Sequence, residues 1–364
     1  MKYSPSINPL FLTTMLEAME SGMGRDEAAN DLMSYSSKER KEILAEIPMV
    51  KTPEEKMSRF LNLAFFGKQI LGEEEQKSKD SLFPSISLYK GEELKQNPYY
   101  IALSSLGKFQ DGDLTFEFQH YEPFAPFVLD EKRVDDLYNE VAPLGYVSSK
   151  LEYPAIRKGK TNWMEVIPHE INTMRDFIAQ AQGNILLYGL GLGYVAYMCS
   201  LKKEVTSITI VEDDKKVIEV FKAHFLPLFR FGSKIKIVQG DAIAYASSHR
   251  NGGYDSLFAD LWHNADDGLE LYQKLLKAEG AASHSFYWIE KAILVYFRRF
   301  LTLLLEEECV EKMDDSDYLN PETESDALLA KLHFALKERE IHSEKEILSL
   351  LSEASLKKIL IQMK

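Results

Sequence analysis

The clearest hydrophobic pattern lies between 166 and about 290. NILLYGL, SITIVEDD, KIKIVQGDA and YDSLFADLW are compact apolar runs of strand length, followed by glycine, acidic or aromatic positions. HEINTMRDFIAQA, YVAYMCSLK and KKVIEVFKAHFLPLF place apolar residues at helical spacing before and between them. Strands alternating with helices at this spacing predict a parallel sheet with crossover helices, an α/β fold.

The flanks read differently. Residues 1–80 form a predicted N-terminal helical region. Ser36 and Glu39 have capping-box spacing, and Thr52-Pro53-Glu54-Glu55 combines a cap, a first-turn proline and a returning glutamate. Phe60, Leu61, Leu63, Ala64 and Phe65 fit one broad helix face, and EEEQKSKD at 73–80 reads as a solvated loop. Residues 81–165 predict a small mixed α/β region. Leu114, Phe116 and Phe118 alternate in LTFEFQHY as a half-buried strand does, VDDLYNEVAPL reads as a short helix, and Asn97-Pro98-Tyr99-Tyr100 reads as a turn. The domain proper spans 166–290, and a helical extension fills 291–364. There Asn320-Pro321-Glu322 predicts a helix start, with Leu328, Leu329, Leu332 and Leu336 on one face.

Composition narrows the function classes. The 364 residues are 45% hydrophobic and 27% charged, as in a folded protein of two or three domains. A net charge of −14 argues against a general nucleic-acid or membrane-surface binder. Cys199 and Cys309 alone make neither a disulfide framework nor a four-cysteine zinc site. The most apolar run, 293–305, is broken by Arg298 and Arg299 and is too short for a bilayer, which needs about 20 residues. No h-region is legible near the start. The expectation is a cytoplasmic protein with a small-molecule substrate and no nucleic-acid or membrane partner; a homo-oligomer stays open.

Gly189-Leu190-Gly191-Leu192-Gly193 follows the first strand and opens a helix. Glycines allow a tight turn and close approach of a ligand, and the helix start offers unpaired N–H groups. The spacing is GxGxG, and Tyr194 stands where a dinucleotide fingerprint has its third glycine, which argues against NAD or FAD. Glu212 ends the second strand, 23 residues after Gly189, near the spacing of a ribose-binding acid. Its carboxylate can accept from both ribose hydroxyls, or serve only as a helix-start acid. Asp241, after the third strand, can accept from an adenine amine, or merely cap the next helix.

The fourth strand ends in Asp260, Trp262 and His263. Asp260 can orient or deprotonate an amine or hydroxyl, His263 can relay a proton, and Trp262 can stack on substrate. Their plainer roles are a strand-end acid, a satisfied loop histidine and a core tryptophan. Tyr287, Trp288 and Glu290 are a second candidate lining, with Glu290 alternatively paired to Arg298 or Arg299. Glu165 and His169 can approach from the preceding segment or simply start a helix. There is no H-E-x-x-H and no compact ligand cluster, so no metal is expected.

Together YGLGLG, VEDD with Glu212, QGDA with Asp241 and YDSLFADLW with Asp260 make 165–265 resemble the class I S-adenosylmethionine-dependent methyltransferases. The resemblance implies a Rossmann-like class I methyltransferase sheet carrying N-terminal and C-terminal helical additions. It implies S-adenosyl-L-methionine as cofactor, with the glycine loop under its methionine and ribose part, Glu212 on the ribose hydroxyls and Asp241 at adenine. Leu187 stands where the family usually has an acid, and no late β-hairpin is legible after the fourth strand. A narrower resemblance is to spermidine synthase-like aminopropyltransferases. MEVIPH is similar to their QEMIAH-type segment at Glu165, Ile167 and His169, and Asp260 takes the place of their amine-activating aspartate. Leu190 and Leu192 depart from their GGGDG. The expected function is methyl transfer from S-adenosylmethionine to a small polar or amine-bearing substrate. Aminopropyl transfer and a non-catalytic cofactor-binding sensor or scaffold are the alternatives.

Overall fold

The five strands of the central sheet are β1 (Gly183–Tyr188), β2 (Val205–Glu212), β3 (Ile235–Gln239), β4 (Ser256–Ala259) and β5 (Ser285–Tyr287). They pair in the order β3-β2-β1-β4-β5, every pair parallel. The structure is a computed structural model that describes residues 1–5, 7–19, 35–47, 52–66, 86–135, 138, 140–249, 252–279 and 285–363. Ile185, Leu186, Leu187 and Tyr188 are all buried, which is why this strand reads as a continuous apolar run rather than an alternating one. Helices α1 (Tyr194–Ser200), α2 (Lys215–Val220), α3 (Ala242–Ser248), α4 (Ala265–Ala278) and α5 (Glu290–Glu306) follow the strands in turn. The chain steps outward from β1 through β3, then returns to β4 on the other side of β1. Open α/β sheets bind ligands beside such a reversal, outside the carboxyl ends of the strands.

Among the described residues the sheet ends at β5, which is parallel to β4 and leads straight into α5. The predicted helix over KKVIEVFKAHFLPLF is α2 followed by a π turn at Phe221–Phe225 and a 3-10 turn at Leu226–Leu228, where Pro227 lacks the amide to continue. HEINTMRDFIAQA likewise divides into Pro168–Thr173 and Arg175–Gln180.

A second sheet precedes this one. Phe109–Asp111, Leu114–Tyr121, Leu151–Lys158 and Thr161–Glu165 form four antiparallel strands. Leu114 and Phe116 are buried as their alternation predicts, while Phe118 is exposed. Among the described residues VDDLYNEVAPL shows no helix: Arg133–Val134 pairs with Glu140–Val141 in a small antiparallel ladder. Tertiary charge pairing explains the difference. The buried Glu140 carboxylate receives Arg299 through Nε at 3.0 Å and Nη2 at 2.6 Å, which ties this segment to α5.

In the N-terminal region, Ser36 and Glu39 form the expected capping box, Thr52 caps Pro53–Phe66, and Phe60 and Leu61 are buried. The side chains of Leu63, Ala64 and Phe65, and all of 73–80, lie outside the described residues. Lys2–Tyr3 pairs in parallel with Glu340–Ile341 near the other end of the chain. The tail helix Glu324–Leu336 starts at Thr323, which forms a capping box with Asp326, rather than at Asn320. Leu329, Leu332 and Leu336 are buried on it. Among the described residues no helix is long and apolar enough to cross a membrane.

Candidate functional site

The strand-order reversal opens a cavity of about 420 Å³ at the carboxyl ends of β1, β2 and β4. Its floor is the glycine turn. Gly189, Gly191 and Gly193 have φ of +92°, +50° and +78°, all in the left-handed region that favours glycine. Gly189 N–H donates to Val211 O at 3.0 Å, so the turn leaves directly from the β1–β2 ladder, and Gly193 starts α1. A Cβ on Gly189 would stand 2.0 Å from Asp260 O, and one on Gly193 would stand 2.4 Å from the Phe221 ring. Packing alone therefore excludes larger residues at both positions. A Cβ on Gly191 meets nothing within 4 Å; that glycine borders open space.

Glu212 closes one side. Its Oε2 accepts Leu190 N–H at 3.0 Å and its Oε1 accepts Asp214 N–H at 2.9 Å. Across the cavity stand Asp260, Glu165 and Glu170. Asp213 also lines it, and no lysine or arginine is among the described lining residues. Burial raises the proton affinities of Asp260, Glu170, Glu165 and Glu212. Burial, followed by the charge of Glu212, pushes the Asp260 carboxyl up to about 7. Burial holds Glu170 well above the ordinary carboxylate range, with Asp260 and Glu165 adding to it. Glu165 and Glu212 are also raised by burial, opposed at Glu165 by Asn162 and at Glu212 by the Asp214 and Leu190 amides. Asp260 and Glu170 keep some accessible surface because they border the cavity. Protein atoms nonetheless crowd their carboxyl groups, so desolvation dominates both shifts.

Trp163, Trp262 and Trp288 also line the cavity. Trp262 Nε1 donates to Trp288 O at 3.0 Å, and Trp288 Nε1 donates to Thr173 Oγ1 at 2.9 Å. Both indoles are buried and both line the cavity. His263 stands at the exposed edge, with Nδ1 at 3.1 Å from Asp267 Oδ2.

The structure thus brings Gly189, Gly191, Gly193 and Glu212 together with Asp260, Trp262 and His263, and adds Trp288 and Glu165 to the same lining. Asp241, His169, Tyr287 and Glu290 do not line it. Asp241 is exposed at the end of β3, where its Oδ1 accepts Ala244 N–H at 2.6 Å and caps α3. His169 lies in Pro168–Thr173 with its ring edge-on to Trp288, and burial pushes its imidazole down to about 4. Tyr287 donates its hydroxyl to Glu279. Glu290 meets neither Arg298 nor Arg299; it accepts from Tyr272 at 2.5 Å and pairs with Lys357 at 2.8 Å. Arg298 instead donates to Leu351 O at 2.9 Å. Sequence reasoning passed over Glu170, although it is the residue after His169 and lies in the first turn of a proline-started helix.

No family model and no curated protein matches the chain. Among solved structures, parts of it are similar to a Klebsiella pneumoniae protein assigned as an O-methyltransferase, at 18% identity and a TM-score of 0.21, covering 26% of this chain and 43% of that one. A spermidine synthase from Thermotoga maritima gives 17% identity and a TM-score of 0.25, covering 35% of this chain and 50% of that one. A spermidine synthase in complex with the transition-state analogue AdoDATO gives 16% and 0.26, covering 41% and 58%. Each match spans less than two thirds of the other protein. The chain's own strand pairing gives a mixed α/β architecture with a central parallel sheet and flanking helices, an arrangement broadly compatible with a Rossmann-like fold.

Proposed function

We propose that the cavity binds an S-adenosyl sulfonium compound and that the protein transfers an alkyl group from it to an amine. The observation that carries this reading is the make-up of one cavity. It joins a glycine turn with open space at Gly191, a strand-end Glu212, and an acid group of Asp260, Glu165 and Glu170 with no lysine or arginine in the described lining. Such a lining favours cations, and both a sulfonium and a protonated amine are cations.

The residues fit the proposed cofactor. A carboxylate has about four acceptor sites, and Glu212 uses one on each oxygen for backbone amides, which leaves acceptors for ribose hydroxyls. Asp241 caps α3 outside this cavity, so the adenine contact expected of it is not part of the proposal. When bound, the sulfonium supplies a carbon activated towards nucleophiles. Asp260 would orient the acceptor nitrogen and take the proton it loses as the new C–N bond forms and the carbon–sulfur bond breaks, with a neutral thioether as the leaving group. A carboxyl group near neutrality is matched to that task. Trp262 and Trp288 keep competing water from the reacting atoms.

In the methyl form of this reaction the donor is S-adenosyl-L-methionine. Its ammonium suits the acid group, but its carboxylate finds no cationic partner in the described lining. That observation favours a second reading, aminopropyl transfer from the decarboxylated donor to an amine, because this donor keeps the ammonium without the carboxylate. Calorimetric titration with each donor, followed by labelled transfer to a panel of amines, tests both. Saturable uptake of S-adenosylmethionine with methyl transfer supports the first. Stronger uptake of the decarboxylated donor with aminopropyl transfer supports the second. Uptake without turnover points to a sensor, and no uptake of either donor ends the adenosyl reading.

A further inference from the structure

Asn97-Pro98-Tyr99-Tyr100 reads in sequence as a turn, and it opens the short helix Pro98–Leu103. Asn97 Oδ1 caps that helix by accepting Tyr99 N–H at 2.9 Å. The side chains then reach away from their own element. Tyr99 is fully buried and donates its hydroxyl to Leu192 O at 2.6 Å. Tyr100, also buried, donates to Val166 O at 2.5 Å. Asn97 Nδ2 donates to the Tyr194 hydroxyl at 3.3 Å. Leu192, Tyr194 and Val166 all line the cavity. The first two belong to the glycine turn and the start of α1; the third follows the strand Thr161–Glu165, which supplies Glu165 to the acid group.

We propose that Asn97, Tyr99 and Tyr100 are positioning residues that fix two walls of the cavity relative to each other. A turn with three glycines in five residues is the softest backbone in the site, since glycine restricts φ and ψ least. Fixing a carbonyl in space fixes the peptide plane that carries it. The Tyr99 hydroxyl does this for the peptide between Leu192 and Gly193, and the Tyr100 hydroxyl does it for the peptide after Val166. Burial of the rings explains an aromatic residue at each position, but a phenylalanine would satisfy it. The ring of Tyr99 packs edge-on against Tyr194 at 5.4 Å and Tyr197 at 5.6 Å, which holds the hydroxyl in place without reference to the cavity. The same contact gives a role to Tyr194, which occupies the third-glycine position of a dinucleotide fingerprint: its hydroxyl is where Asn97 attaches to α1.

The brace acts on the cavity proposed above for an adenosyl group, and only the ligand half of its test rests on that reading. Tyr99→Phe and Tyr100→Phe remove the hydroxyls and keep the rings. Amide hydrogen exchange in the full-length protein is expected to rise about 5- to 10-fold at 189–195 in Tyr99→Phe and at 162–168 in Tyr100→Phe, with other segments unchanged. Uptake of S-adenosylmethionine is expected to weaken about tenfold in each. Asn97→Ser keeps a helix-capping oxygen and removes the link to Tyr194, so it gives a readout at 193–197 if a tyrosine variant fails to fold. Unchanged local exchange in the variants overturns the brace. So does a rise spread evenly over the sheet with a lower melting temperature, the mark of simple core packing. A localised rise in a protein that takes up no S-adenosyl compound upholds the brace and removes the adenosyl reading.

Discussion

The Glu212 carboxylate accepts Leu190 N–H at 3.0 Å through one oxygen and Asp214 N–H at 2.9 Å through the other. One side chain thus joins the glycine turn after β1 to the helix start after β2. Its position at the end of a buried parallel strand makes the geometry rigid, and its remaining lone pairs are the proposed ribose acceptors. Glu212→Gln keeps one acceptor oxygen and turns an NH2 group towards the other amide. The expected result is a loss of about 1 kcal/mol in stability by urea unfolding and a 10- to 100-fold weaker uptake of S-adenosylmethionine. Wild-type affinity in this variant would detach Glu212 from the ribose.

The three glycines answer to different constraints, so substituting them separates fold from ligand. Alanine at 189 brings a Cβ within 2.0 Å of a backbone oxygen that belongs to β4's exit, and alanine at 193 collides with the Phe221 ring. Both are expected to unfold the sheet or lower its melting temperature by several degrees, on the order of 2 kcal/mol or more. Gly191→Ala meets no protein atom within 4 Å and costs only the left-handed strain, about 1 kcal/mol. It is expected to fold and to lose S-adenosylmethionine uptake, measured by calorimetry on protein with an intact circular dichroism spectrum. Full uptake by Gly191→Ala would show that the open space at that glycine is not where the ligand lies.

Strands β1 to β4 were legible as apolar runs that end in glycine or acid, a local signal that needs no tertiary information; β5, three half-buried residues ending in Tyr287, was not. The same locality explains the glycine turn, Glu212 and Asp260, which all sit at strand ends. Glu170 was not legible in this way. Its importance comes from the charges of Asp260 and Glu165, which line the same cavity and act on it, and nothing in HEINT records that proximity. The 133–141 segment failed for the same reason, since Glu140 is drawn into pairing by Arg299, which lies on α5 far along the chain. Asn97-Pro98-Tyr99-Tyr100 reads as a turn, whereas Asn97 caps the helix Pro98–Leu103, and its long-range hydroxyl bonds had no sequence signature.

His169 provides a pH-dependent test of the segment that bears Glu170. Burial holds its imidazole at about 4, below the ordinary value of 6.5, with Asp130 only partly opposing. The folded state therefore binds fewer protons at this site than the unfolded state between those values. Its stability is unpenalised above 6.5 and falls as the pH drops towards 4. Replacing His169 with Gln removes the titrating group. The expected outcome is a shallower decline of melting temperature across pH 6.5 to 4 than in wild type, measured by calorimetric scans at matched ionic strength. Parallel curves for the two proteins would mean that the ring is not desolvated in the folded state.

Asp260 reverses that sign, and the reversal distinguishes a working acid from a packing residue. Its carboxyl is pushed up from 3.8 to about 7 by burial and by Glu212, so the folded state holds a proton that the unfolded chain has released. Stability from this group is present below the unfolded value and is lost as the pH rises through about 7. Asp260→Asn removes the charge that causes this loss. The variant should melt higher than wild type at pH 8, and the two should converge near pH 4. Turnover should move the opposite way. Asparagine cannot take the acceptor's proton, so the rate should fall by about 10²- to 10⁴-fold, and the wild-type rise in rate towards a plateau near pH 7 should disappear. A residue needed only to close the strand end would lose stability on substitution; gaining stability while losing turnover is the behaviour of an acid kept in place for chemistry.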